Sequence, residues 1–106
     1  MRIGVDTREL SGRATGVGRY LGELLAGWAD PASGAAHRHD FVLYGPAPLS
    51  AAVATRIAPL RASVRVLPGD GGTWWEQITL PSAAARDELD VFFAPAYTAP
   101  LRLSCP

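Results

Sequence analysis

The chain has no lysine, a single cysteine and no apolar run long enough to cross a membrane. Each absence excludes something. Without lysine there is no Gly-Lys-Ser/Thr element, which rules out a P-loop nucleotide site. The lone Cys105 cannot close an internal disulfide, so a reducing compartment fits. Arg2, Asp6, Arg8 and Glu9 interrupt the N-terminal apolar residues, which argues against a signal peptide. No window approaches the roughly 20 consecutive apolar residues of a spanning helix. A cytoplasmic location is expected, with peripheral membrane association left open.

Charge of one sign is also missing. Lys plus Arg and Asp plus Glu each number 10, giving a formal net charge of zero. With the arginines dispersed along the chain, nothing suggests attraction to nucleic acid. The 106 residues suffice for one small domain, and the 48% hydrophobic content is that of a globular chain.

The residues present alternate between strand and helix patterns. Ile3-Gly4-Val5 reads as a buried strand running into a loop at Asp6-Thr7. That loop carries Ser11-Gly12 and ends at Thr15-Gly16. From Val17 the period becomes helical: Val17, Leu21, Leu24, Leu25 and Trp28 share one face. Thr15 is the expected cap and Asp30-Pro31 the stop. Ala32–His39 reads as a loop. Phe41–Tyr44 is the second strand, and Ser50 caps a short helix over Ala51–Ile57. Val64–Leu67 is the third strand, followed by the turn-rich Pro68–Gly72.

Thr73-Trp74-Trp75-Glu76 fits a capping box, with a hydroxyl at the cap and a carboxylate three residues on. The helix it opens extends to about Glu88, and Pro81 must kink or split it. Asp90–Phe93 is the fourth strand and Ala94–Pro100 a loop. With right-handed crossovers this order predicts a partial Rossmann-like three-layer α/β domain. Its parallel sheet is expected in the order 3-2-1-4, with flanking helices. The fourth strand is then an edge, and Val91-Phe92-Phe93 is a poor one, uncharged and without a bulge. A further strand or a second copy of the chain is expected to cover it.

Ligands of open α/β sheets bind at the carboxyl ends of the strands, where strand order reverses. In this order the Asp6–Gly18 and Ala94–Pro100 loops flank one crevice. Gly16-Val17-Gly18-Arg19 stands at a loop-to-helix junction, where backbone N–H groups suit phosphate or sugar oxygens. The same glycines are also explained by tight helix–strand packing. A dinucleotide fingerprint fails, because the third glycine falls one position late and no acidic residue ends the second strand. His37 and His39 lack a metal-ligand partner pair, so no metal site is expected. No Gly-x-Ser-x-Gly elbow is present. Trp74 and Trp75 suit either core packing or stacking on a sugar ring.

Met1–Arg8, Gly16–Tyr20, Trp75-Glu76-Gln77 with Leu80-Pro81, and Asp90–Phe92 with Ala94–Leu101 occur here in a familiar order. In this the chain resembles the N-terminal part of family 4 retaining glycosyltransferases with the GT-B fold. The resemblance implies transfer of a sugar from a nucleotide-sugar donor to a sugar, a lipid-linked sugar or a small alcohol, without cofactor or metal. Residues 1–106 would be the acceptor-side domain, and the donor-binding C-terminal domain is absent from them. The resemblance and the strand topology together make Gly16, Val17, Gly18, Arg19, Tyr97 and Thr98 the expected substrate-binding residues, with Asp6, Arg8, Trp75 and Glu76 secondary. No catalytic residue is assigned, and these residues alone are expected to be inactive. A non-catalytic α/β binding or interaction module with the same topology is the alternative.

Overall fold

In a computed structural model, residues 1–10, 16–69 and 72–95 are described. Four parallel strands form one sheet: β1 (Arg2–Asp6), β2 (Asp40–Gly45), β3 (Ser63–Val66) and β4 (Val91–Phe93). Their order is β3-β2-β1-β4, as expected. Gly4 pairs with Val42 on one side and Phe92 on the other; Val5 pairs with Leu43 and Phe93.

The pleat sends alternate residues to two cores. On one face Val5, Phe41 and Leu43 meet α1 (Gly16–Ala29), α2 (Ala35–Arg38) and α3 (Ala51–Ile57) through Leu21, Leu25, Ala35 and Ile57. On the other, Val42, Tyr44 and Phe92 meet Trp75, Leu80, Ala83 and Ala84. These last residues belong to a π-helical turn (Trp75–Thr79) and its continuation α4 (Leu80–Arg86). Helices on both faces thus make the three layers expected of a parallel sheet.

The α1 face is rotated from the expected stripe. Gly18, Leu21, Leu25 and Ala29 are buried, while Val17, Leu24 and Trp28 flank them half-buried. Trp28 stacks on Phe41, with ring centres 5.3 Å apart. The α1 helix stops where Asp30-Pro31 predicts, since the Asp30 carboxylate caps a following 3-10 turn (Pro31–Ser33). That turn and α2 occupy the stretch expected to be an unstructured loop. Single helical turns are too short to show a 3.6 period. Ser50 caps α3 as expected, its side chain accepting from the Val53 amide.

The expected capping box is not formed. The helix begins one residue early, at Thr73, and the Glu76 amide donates to the Gly72 carbonyl at 2.9 Å. The Pro81 split is seen as the switch from the π turn to α4. Within the π turn the Leu80 amide reaches back to the Trp75 carbonyl. Pro81 then sits in the first turn of α4, where its missing N–H costs little.

Candidate functional site

The sheet order reverses between β1 and β4, and it is at such a point, at the carboxyl ends of the strands, that open α/β sheets bind ligands. Helix α1 lies on one side of the sheet and the π turn on the other. Asp6 ends β1 and is buried. Thr7 fastens the chain as it leaves the sheet: its amide and hydroxyl both donate to the Tyr44 carbonyl, at 2.8 and 2.9 Å. The chain then turns, with the Arg8 amide donating to Asp6 Oδ1 at 3.0 Å, and enters a 3-10 turn (Arg8–Leu10) that packs on α1.

This turn directs Arg8 toward the π turn. Its Nε lies 3.1 Å from Asp6 Oδ2. Its Nη2 forms an ion pair with Glu76 Oε1 from the π turn. The guanidinium carbon stands 5.6 Å from the centre of the Trp75 ring, a cation–π arrangement. Gln77 Nε2 donates to the other Glu76 oxygen at 2.9 Å. Trp75 is itself fixed, donating from Nε1 to the Leu67 carbonyl at 2.7 Å. Gly69 allows that packing, because a Cβ there would lie 2.8 Å from the indole.

Two carboxylates and one guanidinium therefore form a nearly buried cluster, with side-chain exposures of 0%, 8% and 12% for Asp6, Glu76 and Arg8. Burial raises the Asp6 pKa above its usual value. The Arg8 amide and charge oppose that shift, while Glu76 and Glu9 add to it. Such a cluster ties the carboxyl end of β1 to the π turn with the charges compensated inside it.

Four of the residues singled out in the sequence, Asp6, Arg8, Trp75 and Glu76, thus meet in one cluster. Of the glycine loop, Gly16 is exposed at the start of α1, Val17 half-buried, Gly18 buried and Arg19 exposed. A Cβ on Gly16 would meet nothing within 4 Å among the described residues, so packing does not require a glycine there. Thr15, Tyr97 and Thr98 lie outside the described residues, as does Cys105. Trp75 is the core tryptophan at 1% exposure, whereas Trp74 is 73% exposed and is the one that presents a stacking face. Thr7 and Gln77 are not among the candidate site residues, although both lie in segments that carry the family resemblance; residue type alone gave neither a role.

Among the described residues, no group of three or more His, Cys, Asp or Glu side chains could hold a metal ion. No described helix is long and apolar enough to cross a membrane. No family model, curated protein or solved structure matches the chain.

Proposed function

We propose that the chain is the acceptor-side domain of a sugar-transferring enzyme that uses a nucleotide-sugar donor. The observation carrying this reading is the Asp6–Arg8–Glu76 cluster. Two segments on which the family resemblance rests, 68 residues apart between Arg8 and Glu76, join in one buried ionic group. They do so at the end of the sheet where α/β folds bind ligands. The acceptor hydroxyls would face this cluster. The start of α1 would approach the donor's phosphates, with its N–H groups and Arg19 answering the charge that builds on a diphosphate leaving group.

The test uses the complete reading frame that carries these residues, assayed for transfer from a panel of nucleotide sugars to sugar and polyol acceptors by mass spectrometry. Transfer is expected, and Gly16→Ala should reduce kcat/KM at least about tenfold, the usual penalty for crowding a positioned substrate. Because a Cβ at Gly16 has open space, the same variant should keep its stability or gain up to about 1 kcal/mol. Absence of transfer from every donor, or full activity in Gly16→Ala, would count against the reading.

A non-catalytic interaction module is favoured by a different observation. Trp74 and Ile78 stand one helical turn apart and are 73% and 43% exposed, an apolar pair of the kind found at protein contacts. Retention of a bound protein partner by a transfer-inactive reading frame, lost in Trp74→Ala, would support that alternative.

A further inference from the structure

At the opposite end of the sheet, the first residues of three strands surround a second cavity. Its volume is about 390 Å³, within the roughly 300–1,000 Å³ range of small-molecule sites. Arg2, His39, Arg61 and Ser63 supply its polar wall, and Phe41 and Leu60 its apolar one. We propose that this cavity binds a small phosphate-bearing anion.

Arg2 Nε and His39 Nδ1 are buried and have no hydrogen-bond partner. Native proteins rarely leave buried polar atoms in that state unless a ligand or water completes them. Neither the Arg2 nor the Arg61 guanidinium forms an ion pair among the described residues. Asp40 also lines the cavity, but it is exposed and lies beyond ion-pair distance of both. Beside the lining, Asp90 Oδ2 accepts from the Arg2 amide at 2.7 Å, and the Arg2 charge helps hold the Asp87 carboxyl low. The lining itself carries two guanidinium groups, that of Arg61 exposed, against one exposed carboxylate.

Arg61 ends a 3-10 turn (Ala58–Leu60) at φ 54°, the left-handed region that favours glycine, so its side chain can be removed without straining the backbone. Two forked guanidiniums match the several oxygens of a phosphate better than the single face of a carboxylate. The apolar wall leaves room for an organic portion attached to it.

The experiment is a titration of the whole chain with inorganic phosphate, followed by amide NMR against sodium chloride at equal ionic strength. Saturable shifts are expected at Arg2, His39, Phe41, Arg61 and Ser63, with chloride giving none. Arg61→Gly, which suits the left-handed backbone, should keep or raise the melting temperature while weakening phosphate at least about tenfold. Arg61→Asn, also at home in that region, should give the same loss. Shifts that do not saturate, that chloride reproduces, or that persist undiminished in both variants would overturn the proposal.

Discussion

Glu76 is one of two carboxylates that close on the Arg8 guanidinium. Its position three residues after Thr73 suggests a capping role, a complete explanation that needs no other residue. The helix begins one residue earlier, so the Gly72 carbonyl takes the Glu76 amide and the carboxylate turns inward. It then meets Arg8, a partner that no short-range spacing identifies. Each member of the cluster was visible by type; their pairing was not, because it depends on two strands reversing order. The coupling has a measurable consequence. Glu76 is one of the charges that raise the Asp6 pKa, so Glu76→Gln should lower it, read by carbon-detected NMR titration of the Asp6 carboxyl. The sign carries through to stability. Because the folded Asp6 pKa lies above 3.8, the folded state binds more protons than the unfolded state between the two values. Stability from this group therefore rises as pH falls through the folded pKa, and Glu76→Gln should narrow that window. An Asp6 pKa that stays put or rises would contradict the coupling. Gly4 is a second residue with a defined cost. A Cβ there would press on Leu89 and lie 3.1 Å from Phe92 and 3.2 Å from Tyr44. Gly4→Ala should lose about 1–3 kcal/mol in urea denaturation, the usual penalty for overpacking a core.

Among the elements, the four strands and the two long helical segments were legible because apolar runs and a 3.6 period survive over their lengths. Their ends shift by a residue or two, as in β3, which starts at Ser63 and stops at Val66. The π turn was not legible. Pro81 announces a break, but the sequence does not say that the preceding turn widens to i→i+5 bonding. The far end of that helical segment is pinned by chemistry that can be tested. Tyr44 Oη donates to Asp87 Oδ2 at 2.5 Å, and Arg65 Nη2 stands 3.3 Å from the other oxygen. Burial pushes the Asp87 pKa up, but the Tyr44 hydroxyl and Arg65 outweigh it, and the group is held below 3.8. The stability Asp87 contributes is thus present above 3.8 and is lost as pH falls through the folded value. Tyr44→Phe should cost about 1.5–3 kcal/mol at pH 7, the range for a hydrogen bond to a charged group. In urea denaturation the gap from the parent chain should shrink as the pH is taken through the Asp87 transition. A pH-independent gap would mean that the lost interaction is packing alone.

For the whole molecule the two edges of the sheet are unequal. On β3, Arg65 sits in the middle of the strand, and such a charge discourages pairing with another chain. On β4 nothing does so. Val91, Phe92 and Phe93 carry no charge, and among the described strands β4 pairs only with β1. The Phe93 ring is committed to the α1 side, edge-on to Trp28 at 6.3 Å, and Phe92 packs beside Tyr44 on the other face. What β4 offers outward is therefore its backbone, and backbone pairing is indifferent to side-chain identity except through charge and shape. The 106-residue chain should accordingly associate as its concentration rises, seen as a growing mass in light scattering behind a sizing column. Val91→Lys puts a charge on that edge while leaving both phenylalanine rings in place, and should hold the chain as a monomer with little change in melting temperature. A parent chain that stays monomeric across the whole concentration range would show that this edge is already satisfied within the chain itself.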